Sequence, residues 1–231
     1  MRTRLVVLLA ATCLAVTGCS SSSSDSAQKL GDPAKVLGIA QQKLTDTTGV
    51  HFVLDTTDLP DGVQGVKAAD GIVTDAPAFD GTLTVVISAG QFPVPVIAVD
   101  DKVYARIPLT PGFSQVDPKE YGAPDPAKLI SADRGVPTLL GATTDPKAAG
   151  DVRGGDNNSE VFTTYTGTVP GDVVANIIPG ASGDFTAKYQ VDKTGLLRAA
   201  DLTGVFYSGS PSMTYTVTLD QYGATKTITA P

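Results

Sequence analysis

The chain has 231 residues, of which 17 are Lys or Arg and 24 are Asp or Glu, so its formal charge is −7. That balance argues against nucleic acid and against electrostatic docking on anionic lipid headgroups. With 24 Gly, 16 Pro and no Trp, the composition is that of strands and turns rather than of a helical bundle.

Arg2 and Arg4 form a short basic leader ahead of an apolar run from Leu5 to Val16. Roughly a dozen residues is the length of a signal-peptide hydrophobic region, whereas a spanning helix needs about 20. The run closes on Val16-Thr17-Gly18-Cys19, which resembles the bacterial lipobox, where small residues before a cysteine set the cleavage site. The expectation is a lipoprotein signal peptide over 1–18, followed by a lipidated Cys19 and a serine-rich tether over 19–30. Cys13 would leave with the signal and Cys19 would carry acyl chains, which excludes disulfides, thiolate metal sites and a cysteine nucleophile from the mature chain. Loss of Arg2 and Arg4 takes the formal charge from −7 to −9. Two or three acyl chains suffice for stable anchoring, so the expected location is the cell envelope, at the outer face of the inner membrane and facing the periplasm.

Residues 31–231 read as one β-rich domain. "DPAKVLGIAQQKLTD" opens with Asp32 as a helix cap and Pro33 at the first helical position, and Val36, Ile39, Ala40, Lys43 and Leu44 recur at helical spacing. Strand patterns follow at 50–59, 71–75 and 79–88. In "FPVPVIAVDDKVYARIP", Asp100-Asp101 marks a hairpin turn, while Pro93 and Pro95 favour an edge or the start of a strand. "DPAKLISADRGVPTLLGA" reads as one or two short helices and "GDVVANII" as another. The remainder, "DVRGG", "SEVFTTYTGTV", "DFTAKYQV", "LLRAADLTGVFYS" and "SMTYTVTLDQYG", is strand. About ten strands in consecutive hairpins, with a few helices, predict antiparallel pairing and an α+β fold.

Catalytic chemistry has little to work with. His51 is the single histidine and lies in a predicted strand; with no mature thiol, neither a Ser-His-Asp or Cys-His constellation nor a histidine-based zinc site assembles. Asp55, Asp58 and Asp61, and the pair Asp100-Asp101, are ordinary turn chemistry rather than a calcium loop. "DVRGGD" is too short for a phosphate loop. The expectation is a protein that is not an enzyme and uses no metal or other cofactor.

The succession of segments is more specific than any one of them. The lipobox and helix are followed by "FDGTLTVVISAGQFPVPVIAVDDKVYARI", then "YGAPDPAKLISADRGVPTLLGA", "TGTVPGDVVANIIP" and a closing "MTYTVTLDQYGATKTITAP". This order resembles the mycobacterial LppX/LprAFG lipoprotein family, its LprG-like members most of all, over about Lys35 to Pro231. The resemblance implies a strongly curved antiparallel β half-barrel with helices on its concave side enclosing a hydrophobic cavity. It also implies a carrier that takes triacylated glycolipid or triacylglycerol across the periplasm toward the outer membrane. The competing readings are a scaffold or accessory lipoprotein for a membrane transporter or glycan machinery, and a hydrolase built on a carboxylate pair.

Strand parity is consistent with such a cavity. Alternation puts Leu83, Val85 and Ile87, then Val103, Ala105 and Ile107, on one face, with Val36 and Ile39 of the first helix set against it. These eight are the expected cavity-lining residues. Phe185, Ala187, Tyr189 and Val191 make a third inward set, and Met213, Tyr215, Val217 and Leu219 a fourth. Mostly small and medium inward side chains, with no Trp, leave room for a ligand.

Overall fold

The computed structural model describes residues 31–231 with the exception of Leu109. The expected signal peptide, the lipidation of Cys19 and the tether lie outside the described residues.

Helix α1, Pro33–Thr45, starts as the sequence dictates: the Asp32 carboxylate accepts the Ala34 N–H at 3.0 Å and Pro33 supplies a preset φ at the first position. Its buried stripe is Val36, Leu37, Ala40 and Leu44. Two antiparallel meanders follow. The first is β1 (Gly49–Asp55), β2 (Gly65–Thr74), β3 (Ala78–Ile87), β4 (Gly90–Val99), β5 (Lys102–Ala105) and β6 (Ser114–Val116). Two 3-10 turns, Pro118–Tyr121 and Pro126–Lys128, and helix α2, Val136–Ala142, lead into the second meander. It comprises β7 (Thr144–Gly154), β8 (Glu160–Val169), helix α3 (Gly171–Ala175), β9 (Ser182–Asp192), β10 (Leu197–Val205) and β11 (Met213–Asp220).

Pairing of β11 with β1 joins the meanders into one curved, open eleven-stranded sheet, in the order β6-β5-β4-β3-β2-β1-β11-β10-β9-β8-β7. The α+β class, the antiparallel curved sheet and the helices against its concave face are as expected. Among the described residues the strands number eleven rather than about ten, because the short β6 also pairs, and two expected strands are longer at their starts, by 65–70 in β2 and 144–150 in β7, where alternation is unclear.

Local chemistry explains the shape. Asp100 and Asp101 both adopt positive φ, 54° and 55°, as a two-residue hairpin between Val99 and Lys102 requires. Pro95 offers its carbonyl to the Arg106 N–H at 2.9 Å, so the donor it lacks would point away from β3, as would that of Pro93. β5 pairs only from Val96 onward, which leaves both prolines where β4 has little to lose. Register shifts occur between Val66 and Ala68 and at two places each along β7 and β10, and such irregularities add twist and bend to a sheet. Gly71 and Gly81 are cross-strand partners covered by the Phe79 ring, where a Cβ on Gly71 would lie 2.6 Å from the ring. Phe79 therefore folds flat against the sheet instead of standing up into the concavity.

The two halves of the concave face are covered differently. α1 packs on α2, β7 and β10, and α3 packs on β9. Beneath these helices Leu44, Leu140, Phe185, Tyr165 and Tyr189 are fully buried. The Tyr189 hydroxyl, pushed up to about 12 by burial, is shared with Thr143 at 2.9 Å and also donates to the Leu139 carbonyl. Among the described residues, the irregular segment around Pro126–Lys128 lies over β2, β3 and β4.

Candidate functional site

Beneath that irregular segment is an apolar pocket of about 70 Å³. Its floor is Phe52 and Leu54 of β1, Val66 and Ala69 of β2, and Phe79 and Leu83 of β3. Its roof is Tyr121 to Pro124 with Pro126 and Leu129, and Ile178, Tyr207 and Tyr215 close one end. Register explains the floor. Leu83 pairs with Ala69 and Val94, and Ala69 with Leu54, so one row of inward positions crosses four strands. The roof follows from Asp117-Pro118 and Asp125-Pro126. Each aspartate caps a single 3-10 turn by accepting an N–H at 3.0 Å, and Gly122, at φ 62°, reverses the chain between them. The result is a strap of two short turns, tied to the β4–β5 hairpin by an ion pair of 3.0 Å between Lys128 and Asp101.

Of the residues expected to line a cavity, the pocket wall takes Leu83. Val85 is half-buried beside it, Val103 and Ala105 are buried on the concave face of β5, and Val36 is buried under α1. The other three stand apart, with Ile39 48% exposed, Ile87 41% and Ile107 39%. Their placement corrects the parity argument at its limits. The buried face of α1 turns away from Ile39, which borders an open depression of about 430 Å³ beside Leu196 and Tyr222. Ile87 is the last residue of β3, at the hairpin end, and β5 stops at Ala105, so alternation no longer governs Ile107.

Three phenols line the pocket: Tyr121 in the exposed roof, and Tyr207 and Tyr215 at the closed end. Tyr215 Oη donates to the Val66 carbonyl, and Tyr207 Oη lies 2.7 Å from Tyr215 Oη. Burial raises the Tyr215 hydroxyl far above the ordinary tyrosine value, with the neighbouring Tyr207 and the Asp58 carboxylate adding to it, so it keeps its proton. Phe206 holds the Tyr215 ring edge-on at 4.8 Å and 82°, and meets Phe185 in the same way on its other side. Tyr215 was recognisable from strand parity. Tyr207 was not, because it lies beyond the end of β10, in a turn closed by bonds from Ser210 N–H and Oγ to its carbonyl.

On the convex face His51 sits between two carboxylates, Nδ1 at 2.7 Å from Asp220 and Nε2 at 3.1 Å from Asp70. This is a surface ion-pair arrangement across β11, β1 and β2, remote from the pocket. Among the described residues no group of three or more His, Cys, Asp or Glu is arranged to hold a metal ion.

Comparison with known proteins places this architecture. The family model described as LppX_LprAFG lipoprotein matches residues 32–229. A protein named lipoarabinomannan carrier protein LprG from Mycolicibacterium smegmatis is 30% identical over 243 residues, covering 98% of this chain and 94% of that protein. Its namesake from Mycobacterium tuberculosis is 26% identical over 199 residues, covering 83% of this chain and 81% of that one. Among solved structures, LprF from Mycobacterium bovis superposes with a TM-score of 0.70 at 18% identity, over 86% of this chain and 96% of its own. LppX from Mycobacterium tuberculosis does so at 0.62 and 23% identity, over 86% of this chain and all of its own.

Proposed function

The chain belongs to the LppX_LprAFG lipoprotein family, and from that membership we propose that it is a non-enzymatic, membrane-anchored envelope lipoprotein that carries a triacylated glycolipid or triacylglycerol across the periplasm toward the outer membrane. The acyl chains would lie against the inward faces of β1–β4. The observation that carries this reading is the asymmetry of the concave face: helices cover one half, while the other presents half-buried Leu54, Leu83 and Val85 beneath a strap of two short turns. Lipid-carrier naming among the relatives supports the same assignment.

A volume of about 70 Å³ is well below the roughly 300 Å³ at which pockets for drug-sized ligands begin, so this conformation is closed. Loading then requires the strap to lift. Burying acyl surface at about 25 cal/mol per Å² supplies the driving force, and a long chain offers far more area than the strap gives up. The small closed volume also favours the competing reading, a scaffold for a membrane transporter whose concavity is simply its core.

Native mass spectrometry of the soluble form beginning at Ser20, expressed in an actinobacterial host, separates the two. Co-purified triacyl lipid in a defined ratio supports the carrier. A clean apo mass that takes up no added lipid supports the scaffold.

A further inference from the structure

The two phenols at the closed end of the pocket are ordered, and the order has a chemical direction. The Val66 carbonyl can only accept, so the Tyr215 hydrogen is committed to it. The contact of 2.7 Å between the hydroxyls must then be a donation from Tyr207 to Tyr215. Each phenol has one hydrogen, so both are spent inside the protein. Tyr207 Oη has no other hydrogen-bond partner among the described residues, and its lone pairs remain unused. It is therefore an acceptor, and not a donor, presented at one end of an apolar pocket.

The placement is built into the sheet. The Tyr207 hydroxyl occupies the space where a side chain on Gly65 would begin, so the phenol reaches this position only because β2 starts with glycine. The Asp58 carboxylate, close enough to act electrostatically on Tyr215, is fixed by accepting the Thr214 N–H at 3.1 Å and the Thr56 hydroxyl at 2.7 Å. A negative charge there opposes a phosphate.

Resting on the carrier reading above, and deciding within it for the glycolipid over triacylglycerol, we propose that Tyr207 is a specificity-determining acceptor that selects lipids with a neutral headgroup bearing a free hydroxyl over lipids whose polar end is fully esterified or etherified.

The test uses the full-length protein, purified from actinobacterial membranes and stripped of lipid. It is offered an equimolar mixture of 1,2-dioleoylglycerol and its 3-O-methyl ether, which share their acyl chains and differ in one donor. Bound lipid is extracted and quantified. In Tyr207→Phe the ratio of bound alcohol to bound ether is expected to fall about fivefold to tenfold, the size of one net hydrogen bond, with uptake of the ether offered alone unchanged. Tyr215→Phe keeps the acceptor but frees the Tyr207 hydrogen to turn toward the ligand. It is expected to lower the ratio as well, and it decides the matter if Tyr207→Phe does not fold. A ratio unchanged in the folded variants overturns the selectivity and leaves the carrier intact. Uptake of neither lipid by the unaltered protein overturns the carrier reading and this one with it.

Discussion

Leu83→Trp is the most informative single substitution. Leu83 stands at the middle of the pocket floor, between Ala69 and Val94 on the neighbouring strands, and its side chain borders the empty volume. An apolar void of about 70 Å³ carries a penalty of roughly 1.7 kcal/mol at about 24 cal/mol per Å³. An indole placed there recovers part of that penalty, and it introduces about 1–3 kcal/mol of overpacking. The two nearly cancel, so the variant is expected to fold with a melting temperature within a few degrees of the parent. Ligand response is where they part. A lipid at about 100 times its Kd stabilises the parent by roughly 2.7 kcal/mol, which for a domain of this size raises Tm by about 5 to 11 °C. The variant, its site occupied by its own side chain, is expected to show less than about 1 °C. Scanning calorimetry with and without dioleoylglycerol reads both quantities. A folded Leu83→Trp that keeps the full lipid-induced shift would refute the placement of the site on β3.

Two further predictions concern titration. Burial alone would lower the His51 pKa, but hydrogen bonds to Asp70 and Asp220 outweigh it and the net shift is upward. Its contribution to stability is therefore complete below the unfolded value of about 6.5 and is lost as pH rises through the folded value. The Tm difference between the parent and His51→Gln should shrink from pH 6 to pH 8.5, and a constant difference would contradict the clamp. Asp192, buried at the β9–β10 turn, would be raised by desolvation, but bonds from Thr194, Leu196 and Arg198 outweigh this and lower it. Its stabilisation is present above about pH 4 and fades as pH falls through the folded value. Asp192→Asn should cost about 1–3 kcal/mol at pH 7 by urea denaturation, with the gap to the parent narrowing below pH 3.

What was legible in the sequence followed from local rules. The capped start of α1, the Asp100-Asp101 hairpin and the alternation of β8 to β11 are each written in a few adjacent residues, and they specify antiparallel meanders. The first half of β2, "GVKAAD", and the start of β7, "TDPKAAG", have no alternation of their own. They are strands because neighbours hold them. The stretch from Asp125 to Ala142 was read as one or two short helices because an Asp-Pro pair can open a helix; here that opening closes a single 3-10 turn, Pro126–Lys128, and regular helix begins only at Val136, after Gly135. The pocket's polar end was hidden for a different reason. Val66, Tyr207 and Tyr215 come from three separate places in the chain, and the register shift beside Val66 breaks the parity that would otherwise have aligned them.

The seam between the meanders has a consequence for how the protein is made. His51 and Asp220 are 169 positions apart, yet they face each other across β1 and β11. Until β11 emerges, β1 is an open edge, and the first six strands form a sheet whose backbone donors on that side have no partner. Closing so long a loop is entropically slow, so the pairing that unites the two halves is expected late. A chain threaded through a membrane from its amino end would present β1 to β6 and the strap first, with β1 an open edge until β11 follows. A chaperone, or the ligand itself, would have most to offer in that interval.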